Sequence, residues 1–143
     1  MRNRALRIAL GAIFFVAGLH KVGHTTALAQ DIYNYHVLPD SYSYVYIAAA
    51  VLPWLELVLG AATIAGVWTE SCALILMGLA TLFTGAVASA LWRHLDVNCG
   101  CLHGASKLSL SHLLFNLLIL VLAAVLFREN VKKFNRHYPG NYD

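Results

Sequence analysis

The chain has 143 residues, of which 59% are hydrophobic and 12% charged, with a formal net charge of +3. A soluble domain carries about 45–50% apolar and about 25% charged residues, so one water-soluble globular domain is excluded. The small positive charge is too weak to suggest nucleic acid as a partner.

The apolar residues fall in four runs, Ala5–Val22, Tyr44–Val67, Ser71–Trp92 and Leu108–Phe127. Each approaches the roughly 20 residues needed to cross a bilayer as a helix. The expected fold is all-α: an integral membrane four-helix bundle in a single domain. Arg2, Arg4 and Arg7 before the first run, with "ALAQ" (Ala27–Gln30) behind it, resemble a secretory leader. The run leads into Leu19-His20-Lys21 rather than into small residues, so it is expected to stay as a span.

The segment from His24 to Ser43 carries Ala27, Leu28, Ile32, Tyr35 and Leu38 at helical spacing, with Tyr33, Tyr42, Tyr44 and Tyr46 nearby. This predicts a short interfacial helix ended by Pro39. Pro53 interrupts the second run and removes one backbone donor. "WTE" (Trp68–Glu70) joins the second and third runs as a tight hairpin. Small residues inside the runs (Gly11, Gly18, Gly60, Gly66, Gly78, Gly85) are expected to let helices pack closely. The tail Glu129–Asp143 is polar and basic and is expected to lie on the inner surface.

Orientation follows from the cations. With the N-terminus inside, Arg2, Arg4, Arg7, Arg128, Lys132, Lys133 and Arg136 are cytoplasmic, and Lys21, Arg93 and Lys107 are outside. The excess favours N-in, C-in. The loop "LDVNCGCLHG" (Leu95–Gly104) then faces outward, which in a bacterium is the periplasm, where a disulfide persists.

Cys99 and Cys101 can close into a strained, exposed ring, and disulfides of that kind are the labile ones. As a staple the ring closes almost no loop and gains little. Arg93, His94 and His103 lie close enough in sequence to stabilise a thiolate. Cys72, at the inner start of the third run, is roughly 30 Å of helix away and reads as a small buried hydrophobe. Glu56 stands near the middle of the second run, where a carboxylate is costly and by default functional. The bland alternative is a neutral Glu hydrogen-bonded between helices. His112 and Asn116, four apart, share a face of the fourth run. Lys21 ends the first run, where it is also able to snorkel to the headgroups.

Several segments in order resemble the MauE/DoxX-like redox-associated membrane proteins: "FVAGLHKV" (Phe15–Val22), "YHVLP" (Tyr35–Pro39), "LPWLELVLG" (Leu52–Gly60), "CGCLHG" (Cys99–Gly104) and "FNLLIL" (Phe115–Leu120). Leu102 and His103 depart from the methylamine-utilisation branch, and His20 precedes its lysine. The resemblance implies thiol–disulfide chemistry beside a periplasmic thioredoxin-like protein, as in enzyme maturation. It makes Cys99 and Cys101 the redox pair, and Lys21, Glu56 and Asn116 polar positions within the bundle. The architecture is also similar to the DsbB and vitamin K epoxide reductase types, an analogy of fold alone.

Three readings follow. The first is a membrane thiol–disulfide oxidoreductase passing electrons between its partner and a quinone near the outer helix ends. Lys21, Glu56, His112 and Asn116 would serve the cofactor or its protons. The second is handling of copper or zinc by Cys99, Cys101 and His103, although a full zinc ligand set at standard spacing is missing. The third is a non-catalytic anchor of a periplasmic redox enzyme. Association with itself or another subunit is expected for so small a bundle.

Overall fold

A computed structural model describes residues 2–36, 42–95 and 110–137, with side chains described for 4–36, 42–95 and 110–132. The chain forms five helices: α1 (Arg2–Lys21), α2 (Thr25–Asn34), α3 (Tyr42–Ala65), α4 (Thr69–Trp92) and α5 (Leu110–His137). There is no strand among the described residues. Helices α3, α4 and α5 are long and apolar enough to cross a membrane, whereas α1 qualifies only together with α2, from which it is bent by 104°.

Two expected boundaries differ. The helix after α1 ends at Asn34, before Pro39 is reached. His36 stops it by adopting a left-handed backbone, φ 48°, a conformation that closes helices. Pro39 itself lies outside the described residues. Helix α5 does not stop at Phe127 but runs on to His137 through the polar tail. Glu129, Lys132 and Lys133 are good helix formers, and no glycine or proline intervenes before Pro139.

Packing inside a bilayer depends on close fit rather than on expulsion of water, and α1 and α3 achieve it with glycine. A Cβ on Gly60 would lie 2.6 Å from the Phe15 nitrogen, and one on Gly11 would lie 2.8 Å from the Gly60 oxygen. A Cβ on Gly18 would lie 2.7 Å from the Pro53 oxygen. Ascending α1 therefore runs down α3, so the two are antiparallel with their backbones in contact. Arg7 belongs to the same seam. Its guanidinium packs on Gly66 and donates to the Ile64 carbonyl at 3.3 Å, placing a cation at the negative end of α3.

The main core joins α1, α4 and α5 through Leu10, Phe14, Ala73, Leu76, Leu79, Ala80, Ile119, Ala123 and Leu126. Helix α2 lies against α3 through Ala29, Val45 and Ala49. Gly66 (φ 82°) and Trp68 (φ 45°) turn the chain tightly from α3 into α4. The α4 hydroxyls of Thr81 and Thr84 donate back to Met77 and Ala80 carbonyls at 2.8 and 2.6 Å, which satisfies them without water.

Candidate functional site

The close seam between α1 and α3 brings together two side chains that are widely separated in sequence. Gly18 backs onto the Pro53–Leu57 turn, and Lys21, one turn beyond Gly18, reaches Glu56 in that turn. The Lys21 Nζ donates to Glu56 Oε1 at 2.7 Å and to Oε2 at 3.0 Å. The Lys21 side chain is 12% exposed and that of Glu56 only 1%. The ammonium also stands 4.9 Å from the centre of the Phe83 ring on α4, within cation–π range. Three helices thus converge on one charge pair.

A cavity of about 40 Å³ adjoins the pair. Its polar lining comes from Lys21, Glu56 and Asn116, and its aromatic walls from Phe14, Phe83 and Phe115. Asn116 is buried on α5, so all four long helices contribute to the lining. Lys21, Glu56 and Asn116, read from sequence as separate outliers, occupy a single site. His112 is half-buried one turn earlier on α5.

The aromatic walls were invisible in the sequence, because phenylalanine in an apolar run signals only burial. The pairing of Lys21 with Glu56 had a usable signal. Each stands three residues beyond a backbone landmark, Gly18 or Pro53, and those landmarks are the points of contact.

The C-terminal end of α4 is equally specific in its local structure. His94 (φ 51°) donates its backbone N–H to the Leu91 carbonyl at 3.1 Å, and Leu95 donates to that of Ala90 at 3.0 Å. This is a Schellman closure, with histidine where glycine is usual. Leu95 and Ala90 pack with buried Tyr35, and Arg93 Nη1 donates to the Tyr35 carbonyl at 3.3 Å. Arg93 thus ties the end of α2 to the end of α4. Cys99, Cys101 and His103 lie outside the described residues. Cys72 is buried at the start of α4, its Sγ 3.7 Å from the Val67 carbonyl oxygen. Among the described residues, no group of three or more His, Cys, Asp or Glu is placed to hold a metal.

A family model described as methylamine utilisation protein MauE matches residues 3–128. A curated protein, "Methylamine utilization protein MauE" of Paracoccus denitrificans, is 32% identical over 122 residues, covering 83% of this chain and 64% of that protein. The chain therefore spans less than two thirds of that relative's length. No solved structure matches it.

Proposed function

The chain belongs to the MauE family, and on that premise we propose that it is a four-span membrane thiol–disulfide oxidoreductase supporting disulfide formation or enzyme maturation in methylamine utilisation. In this reading α1, α3, α4 and α5 cross a bacterial inner membrane N-in, C-in, with α2 along its outer face. The 104° bend between α1 and α2 suits that arrangement, as does the excess of cytoplasmic Lys and Arg.

Cys99 and Cys101 face the periplasm as a disulfide. A thiolate of a reduced thioredoxin-like partner attacks one sulfur, giving a mixed disulfide and a free thiolate on this chain. The partner's second thiol resolves it, so the partner leaves oxidised and Cys99 and Cys101 are left reduced. Two electrons have then entered this chain. A membrane quinone is the proposed acceptor, taking two electrons and two protons as Cys99–Cys101 re-forms. Arg93, His94 and His103 are the proposed thiolate-stabilising residues.

The observation that carries the reading is the Lys21–Glu56 pair beside Asn116. Ionisable groups at membrane depth face bundle interiors and mark pathways or relays. The cavity itself does not hold a quinone ring. Its roughly 40 Å³ compares with about 300–1,000 Å³ for ordinary small-molecule sites. A ring would dock outside it, toward His112 and the outer helix ends.

The test is to quench cells in acid, which stops thiol exchange, identify the protein disulfide-linked to this chain, confirm that Cys99→Ser and Cys101→Ser abolish the link, and then follow reoxidation of purified protein by quinone. Labelling of Cys99 and Cys101 by an impermeant thiol reagent from the cytoplasmic side alone would refute the reading.

A further inference from the structure

We propose that the cavity between Lys21, Glu56 and Asn116 is a hydrated proton-exchange site, whose ligand is water. The inference rests on the helix core alone and stands independently of electron transfer by Cys99 and Cys101.

Size and chemistry agree. A cavity needs about 10–15 Å³ per water and two to four polar partners for each, so about 40 Å³ accommodates roughly three. An ionised carboxylate offers about four acceptor positions and an ammonium three donors. The two Lys21–Glu56 contacts leave acceptor positions on Glu56, and Asn116 adds an amide to the lining. The aromatic walls exclude bulkier contents without competing for hydrogen bonds. Lys21 and Glu56 thus meet solvent-sized contents in a region where the lipid offers none.

The exchange step is balanced. An N–H bond of the Lys21 ammonium breaks and an O–H bond forms on Glu56 across the 2.7 Å contact, giving a neutral amine and a neutral acid. Net charge is unchanged, so the step avoids the heavy cost of an unpaired ion in low dielectric. Water in the cavity then exchanges a proton with the Glu56 carboxyl, and the reverse transfer restores the pair.

Infrared spectroscopy of the full chain in lipid nanodiscs, moved from H₂O to D₂O, tests this directly. The Lys21 ammonium N–H bending band is the one that disappears when Lys21→Met is combined with Glu56→Leu. In the unmodified chain it should shift within seconds. Asn116→Leu, which replaces the polar wall, should slow the shift at least 100-fold. Ala17→Leu fills the cavity from α1 without removing a polar group, and should slow it likewise if Asn116→Leu misfolds. A wild-type band that takes hours to shift overturns the proposal, as does an unchanged rate in a folded cavity-filled variant. Failure of quinone reduction with rapid Lys21 exchange would sink the redox reading and leave this one intact.

Discussion

Removing the Lys21 ammonium while leaving Glu56 in place is the sharpest perturbation of the helix core. At 2.7 Å and an effective dielectric constant of about 20, Coulomb attraction amounts to about 6 kcal/mol. Much of that offsets the desolvation of two ions, one of them 1% exposed. The contact with the Phe83 ring adds about 0.5–2 kcal/mol. Breaking a buried pair from one side leaves an uncompensated charge and typically costs about 3–5 kcal/mol. Lys21→Met should therefore destabilise the chain by that amount. Lys21→Met combined with Glu56→Leu should lie within about 1 kcal/mol of the unmodified protein, because apolar replacement of both partners is often neutral. Reversible unfolding in mixed micelles, run as a double-mutant cycle, reads the coupling directly. A loss below about 1 kcal/mol for Lys21→Met, or additive single effects, would show that the pair carries no such energy and refute this account of the site.

Other consequences are independent of the ion pair. Gly60→Ala places a Cβ 2.6 Å from the Phe15 nitrogen and should cost about 1–3 kcal/mol by overpacking. Gly78→Ala, with nothing within 4 Å, should gain up to about 1 kcal/mol in helix propensity, so equal effects in unfolding would contradict the α1–α3 seam. His94→Gly should stabilise the α4 terminus by about 1 kcal/mol, relieving a non-glycine residue at φ 51°. The same change should slow alkylation of Cys99 and Cys101 if His94 supports a thiolate, and unchanged alkylation would remove it from that role. Burial pushes the Asp31 carboxyl on α2 above its usual range. A raised folded value favours the packed state of α2 below the unfolded value of about 3.9 and loses that benefit as pH rises through the folded one. Hydrogen exchange of α2 amides should accordingly quicken with pH beyond its chemical trend. Asp31→Asn should abolish the excess, and a persistent excess would place its origin elsewhere.

The long helices were legible in the sequence because long apolar runs announce themselves, and their ends moved, although α1 falls short of a span unless it is counted with α2. Those ends depend on single-residue backbone choices, such as His36 in a left-handed conformation, that carry no compositional trace. Lys21, Glu56 and Asn116 each stood out as polar groups in or beside apolar runs. Their convergence did not, because it depends on which helix lies against which and in what register. Gly18 against Pro53 and Gly60 against Gly11 set that register. Arg93 illustrates the opposite limit. Its place near the cysteines suggested thiolate tuning, while its resolved partner is the Tyr35 carbonyl on α2, a long-range contact that sequence proximity does not encode.

The least conventional helix, α1, shows how these contacts bear on membrane placement. Its charge-free stretch runs between Arg7 and Lys21, roughly 20 Å of helix at about 1.5 Å per residue, against about 30 Å of hydrocarbon. Counted alone, α1 is too short to span with both cations in water. Each cation makes a contact with the protein. Arg7 is turned onto Gly66 and the Ile64 carbonyl, and Lys21 onto Glu56. Both partners belong to α3, so α3 holds both ends of the charge-free stretch of α1. Glu56 thereby acquires a structural role beside its proposed chemical one, since it holds the C-terminal end of α1 against α3. The two roles separate experimentally. Glu56→Gln retains a hydrogen-bond acceptor for Lys21 while removing the exchangeable carboxyl. It should leave α1 protected from hydrogen exchange more fully than Glu56→Leu does. Equal loss of α1 protection in the two variants would show that charge, rather than hydrogen bonding, holds this helix in place.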